Sequence, residues 1–128
     1  MKKKPMTTQR KKRILKNKLD RLIQQIFVPK NPRCLVCGEP TSEGHHFIQK
    51  TQSMYLRWNE KNLIQLCRAC HCRHHFSGDP AIVANIVKIM GQTWFMWIQE
   101  NRNNPFNDNL TNLRELYNEL QKQRMLEC

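Results

Sequence analysis

The sequence predicts a small α+β fold, with two short strands held by a metal clasp and helices on either side. Three observations predict it. Two C-x-x-C pairs, Cys34–Cys37 and Cys67–Cys70, stand in the middle of a 128-residue chain. Short, mixed segments with strand character, "GHHFIQ" and "KNLIQLC", lie between the first pair and the second. Apolar residues recur at helical spacing before Pro29 and again after Asp79. A chain of this length makes one domain. Its core is modest, and a structural metal is a common supplement in domains this small.

Residues 1–9 read as a disordered basic arm, and residues 10–32 as a basic amphipathic helix. Ten of the 22 Lys and Arg residues fall at or before Arg21. Ile14, Leu15, Leu19, Leu22, Ile23, Ile26 and Phe27 form one apolar stripe opposite the basic face. Thr7 or Thr8 suits the cap, and Pro29 and Pro32 stop the helix. Residues 33–78 hold all five histidines and five of the six cysteines. "RCLVCGEP" has the form of a zinc knuckle, and "KTQSMYLRWNE" reads as loop. Residues 79–128 are helical. Asp79-Pro80 opens "AIVANIVKIM", and Gly91 closes it. "QTWFMWIQEN" follows, its Trp94, Phe95 and Trp97 read as core. After a polar linker comes a last helix with Leu110, Leu113, Leu116, Tyr117 and Leu120 on one face.

The formal charge is +12 and the pI about 9.8. Charge of that size, clustered at one end, points to a polyanionic partner, with nucleic acid the first candidate. Lys11, Lys12, Arg13 and Lys16 on the basic helix, with Arg68 and Arg73 beside the second cysteine pair, are the expected phosphate contacts. No apolar segment follows the basic N-terminus, and no run approaches a membrane span, so a cytoplasmic, reducing setting is expected. There, C-x-x-C pairs favour metal over disulfide. Cys67 to His71 also matches a haem-attachment pattern, but that chemistry normally needs export and leaves Cys34 and Cys37 without a role. Four thiolates from two such turns close a tetrahedral Zn²⁺ shell, so Cys34, Cys37, Cys67 and Cys70 are the expected structural site. Cys72 and Cys128 fall outside it.

His45 and His46 are adjacent in an extended segment, so their side chains point to opposite sides. One can hold an ion while the other faces a substrate. His71 and His75 share a face if the chain turns helical after Cys70. Two helical histidines and one from the strand make a three-ligand site with open positions, suited to metal-assisted hydrolysis. The alternative is a set of surface histidines with no ligand.

The order His45-His46, Asn62, His71 and His75, threaded through two C-x-x-C pairs, resembles the HNH endonuclease family. The resemblance covers residues 34–76 and implies a ββα-metal core. It implies that His46 is the general base. It implies that His45, His71 and His75 hold a catalytic Mg²⁺ or Mn²⁺, and that Asn62 fixes the loop and orients His46 through a hydrogen bond. Asn59 is the rival for Asn62. His74 matches no family position and reads as surface or phosphate-contacting. "LRWNEKNLIQLC" and "FSGDPAIVANIVKIMG", with the helices around them, are similar to the phage NinG/Rap recombination endonucleases. That likeness implies cleavage of branched DNA such as Holliday junctions and D-loops in a bacterial host's cytoplasm. Two symmetric cuts would suit a homodimer. The competing reading is a non-catalytic zinc module that binds DNA. It explains the charge and the cysteines but gives the histidine spacing no role.

Overall fold

The computed structural model describes residues 3–75 and 78–127. Lys2 of the basic arm, Phe76, Ser77 and Cys128 lie outside them. Residues 3–7 have no regular structure and are exposed. Helix α1 spans Thr8–Phe27, so it begins and ends earlier than the expected 10–32. Thr7 Oγ1 accepts the Arg10 amide at 3.2 Å and caps one of the unpaired first-turn donors. At the other end Pro29 has no N–H to continue the ladder, and the chain tightens into a 3₁₀ turn at Val28–Lys30.

Strand β1 is Gly44–His46 and β2 is Leu63–Gln65. They pair antiparallel, Gly44 with Gln65, His45 with Ile64 and His46 with Leu63. The segment between them, expected as loop, contains helix α2, Met54–Arg57. Ser53 caps it through Oγ, 3.2 Å from the Leu56 amide. A 3₁₀ turn at Glu60–Asn62 follows, capped by Asn59. Helix α3, Arg68–His75, leaves the second cysteine pair directly. Then come α4, Pro80–Met90, α5, Gln92–Asn101, and α6, Leu110–Glu127. Asp79 caps α4, with Oδ1 2.9 Å from the Ala81 amide. Gly91, at φ +97°, takes the turn into α5, a conformation that a side chain would strain.

Strand alternation divides the core in two. Leu63 faces a cluster built by Leu19, Leu22, Ile23, Ile26 and Phe27 of α1 with Leu113 and Leu120 of α6. Its neighbour Ile64 faces the other way, into a cluster with Phe47, Ile48, Leu56, Cys34 and Cys70, and with Ile82, Ile86 and Ile98 of α4 and α5. Trp94, Phe95 and Trp97 pack, half-buried, against this second cluster. The sheet is thus covered on both faces.

Helix α1 is fixed to β1 by one side chain. Gln24 Nε2 donates to the Gly44 carbonyl, and Gln24 Oε1 accepts the Gly44 amide, both at 2.8 Å. The side-chain amide thereby completes the strand as a neighbouring backbone would. The approach requires glycine, because a Cβ at position 44 would lie 2.6 Å from Phe27 Cδ1. No single helix among the described residues is long and apolar enough to cross a membrane.

Candidate metal centre and histidine cleft

Cys34, Cys37, Cys67 and Cys70 come together as the sequence predicts. Their four Sγ atoms all lie within 4.8 Å of one another. Zn–S bonds of about 2.3 Å in a tetrahedron need sulfurs about 3.8 Å apart, so the cluster fits a zinc ion. Cys37 and Cys67 Sγ are 3.5 Å apart. The first turn is folded for the purpose: Gly38, at φ +79°, lets its amide reach the Cys34 carbonyl at 3.0 Å. The Leu35 amide donates to the Gln65 carbonyl at 2.7 Å and ties this knuckle to the end of β2. Burial pushes the Cys34 thiol up, but backbone amides of Cys37, Cys67 and Val36 outweigh it and bring it to about 6. Burial and the neighbouring sulfurs push the Cys70 thiol up. A divalent cation would remove that competition by drawing thiolate from all four.

Four of the five histidines meet at a second site. His45, His46, His71 and His75 line one open cleft of about 800 Å³, whose lining also includes Asp20, Arg21 and Gln24 of α1. All four are half-buried. His45 shares its sheet face with Ile64, and its ring stacks on His71, centroids 3.7 Å apart and planes 17° from parallel. His71 meets His75 edge to face at 4.7 Å. Burial first, then the proximity of His71, brings His45 down to about 4. Burial is the leading cause that lowers His46, His71 and His75 as well. At neutral pH the cleft therefore presents neutral imidazoles, the form that binds metal or accepts a proton.

The three expected ligands share the cleft, but their nitrogens are not gathered like the sulfurs. An ion lies in the plane of each ring that binds it. Two nearly parallel rings cannot both do this, so His45 or His71 must rotate to chelate with its partner. Gln49 Nε2 donates to His75 Nδ1 at 3.2 Å, which occupies that nitrogen. Among the described residues, the four-cysteine cluster alone has its ligand atoms converged. The donor set itself, three neutral imidazoles and no carboxylate, suits borderline transition ions better than Mg²⁺.

His46 faces away from His45. Its Nε2 lies 2.8 Å from the Arg57 carbonyl. A carbonyl only accepts, so Nε2 carries the proton and Nδ1 carries the lone pair. Asn62 is fully buried. Its Nδ2 donates to the carbonyls of Ile48 and Leu56, at 2.9 and 3.2 Å, and its Oδ1 accepts the Ile48 amide at 2.9 Å. It ties the loop after β1 to the end of α2. The hydrogen bond expected from Asn62 to His46 is not the one formed: the Arg57 carbonyl holds that ring. The rival, Asn59, caps the 3₁₀ turn instead, with Oδ1 3.0 Å from the Lys61 amide. His74 is half-buried, with its ring against Phe47 at 5.7 Å, so it is not a plain surface residue. Cys72 is half-buried on α3, outside the four-cysteine cluster.

The expected phosphate contacts separate. Lys11, Arg13 and Arg68 are exposed, and Lys12 is half-buried. Lys16 is paired with Asp108 at 2.5 Å, and Arg73 forks onto Asp79 Oδ2 at 2.9 and 3.2 Å, so both have an acid in the fold. Arg21 and Lys50, which sequence reasoning passed over, line the histidine cleft. Arg10, Arg13, Asn17, Arg21 and Gln25 are exposed at spacings of three and four along α1. Their row leads into the cleft, and the helical period was the signal that marked it. No family model, no curated protein and no solved structure matches the chain.

Proposed function

We propose that this protein is a metal-dependent DNA endonuclease of the HNH type, with a ββα-metal core and a structural zinc ion. The observation that supports it most is the environment of His46. A neutral imidazole lines a basic cleft with its Nε2–H committed to a backbone carbonyl, which leaves Nδ1 to take a proton from water. A histidine kept neutral near pH 7 is matched to that task. His45, His71 and His75 would hold a divalent ion, Mn²⁺ or Mg²⁺, which when bound supplies positive charge for the scissile phosphate and the leaving oxygen. Arg21 and Lys50 would grip flanking phosphates without regard to sequence. Branched recombination intermediates are the proposed substrates, on the likeness to the NinG/Rap enzymes. A homodimer would make the paired cuts.

The stacking of His45 on His71 favours a second reading, a non-catalytic zinc module that binds DNA. One experiment separates the two. Purified zinc-loaded protein is incubated with synthetic duplex, flap and four-way junction DNA, with Mg²⁺ or Mn²⁺. Cleavage of the junction, with Mn²⁺ at least as effective as Mg²⁺, is the expected result. Tight binding without a cut on any substrate would favour the module.

A further inference from the structure

Asp20 is the only acid before Glu39 in a strongly basic stretch. It sits on α1, outside the segment that resembles a nuclease core, yet three donors converge on it. Arg57 Nε reaches Oδ1 at 3.0 Å, Arg57 Nη2 reaches Oδ2 at 2.7 Å, and Trp58 Nε1 reaches Oδ1 at 2.8 Å. The Asp20 and Arg57 side chains are only 23% and 18% exposed, so this is not a solvated surface pair. The Arg57 guanidinium also lies over the Trp58 ring, 4.9 Å from its centroid. Burial alone would raise the Asp20 carboxyl, but Arg57 and Trp58 outweigh it and hold it below the usual range.

The three groups meet at the end of α2, a helix of four residues. Carbonyls in a last turn lack helical partners and point where the chain's anchoring leaves them. The Arg57 carbonyl is one of these, and it accepts the His46 Nε2–H at 2.8 Å. A bidentate Arg–carboxylate pair is directional as well as strong. It fixes the residue whose backbone holds the imidazole.

We infer that Asp20 is a positioning residue for His46: through Arg57 and Trp58 it sets the carbonyl that orients the ring and keeps Nδ1 free to accept a proton. Helix α1 is then a working part of the site as well as a surface for DNA. The inference rests on the proposed role of His46, and its first readout is independent of that role.

The test uses the full-length, zinc-loaded, ¹⁵N-labelled protein and the variants Asp20→Ala and Asp20→Asn. In the parent, the His46 Nε2 proton should appear as an exchange-protected imidazole signal. In Asp20→Ala it should be lost to exchange with water, at unchanged zinc content. Asp20→Asn keeps the shape and one acceptor but loses the charged fork, and should give partial protection. It also serves as the test if Asp20→Ala does not fold. With DNA, kcat should fall about 10–100-fold, the scale for losing a group that orients an imidazole. KM should stay near the parent's, which a general loss of structure would not leave in place. Full protection of the proton in a folded variant would overturn the inference. So would loss of protection with kcat unchanged. An inactive parent that shows the protected proton, and loses it on substitution, would refute the nuclease reading and leave the positioning link standing.

Discussion

His74 shows what a single side chain does outside any assigned role. Its ring stacks on Phe47, and its buried Nδ1 has no hydrogen-bond partner among the described residues. Burial first, then His75 and His71, brings its pKa down to about 4. An unfolded histidine titrates near about 6.5. Between those values the unfolded chain binds the extra proton, so this group's stabilisation is present above about 6.5 and is lost as pH falls towards 4. His74→Phe removes both the unpaired nitrogen and the proton site. At pH 7 the zinc-loaded variant should be as stable as the parent or more so, by up to about 1 kcal/mol. Its thermal stability should fall less steeply between pH 6.5 and 4. A variant less stable at pH 7 would show that Nδ1 does have a partner. The cysteines and the four cleft histidines were legible in the sequence because their chemistry imposes spacing: two residues between thiolates, four along a helix. The partners of Asn62, His46 and His74 were not, because each is chosen by a contact between distant segments.

At the scale of elements, α1 carries the two roles that its sequence blends. Its apolar stripe packs on α6, Gln24 reaches β1 at Gly44, and Asp20 reaches α2 at Arg57. The exposed basic row enters the cleft at Arg21, and Lys50 also lines it. Each should release about one counterion on binding DNA, so Arg21→Ala and Lys50→Ala should each lower the salt slope by about one unit and weaken binding on any sequence. Lys16→Ala should change the slope less, because its charge is already paired with Asp108. Binding isotherms at several salt concentrations measure this, and equal slopes for all three variants would refute the assignment. The long helices were legible because each repeats the helical period several times. Helix α2 was not: Met54–Arg57 is about one turn, too short for a period, and only the Ser53 cap signals it.

In the whole molecule, the four-cysteine cluster joins the chain before β1 to the chain after β2, and Cys34 and Cys70 are part of the larger core. A metal ion held there would couple binding to folding. One zinc ion per chain is expected, and Cys34→Ser or Cys67→Ser should unfold the domain. Metal analysis with circular dichroism checks this, and a stable, fully folded protein after chelation would contradict it. We propose that a zinc-clasped fold presents His46 as a base. It is tested most directly by comparing His46→Ala with the parent for junction cleavage, at matched zinc content and DNA affinity. Cleavage should fall by about 10²-fold or more with folding and binding retained, and excess Mn²⁺ should not restore it. His71→Ala, by contrast, should recover in part with Mn²⁺. A His46→Ala protein that cuts as well as its parent would contradict the account.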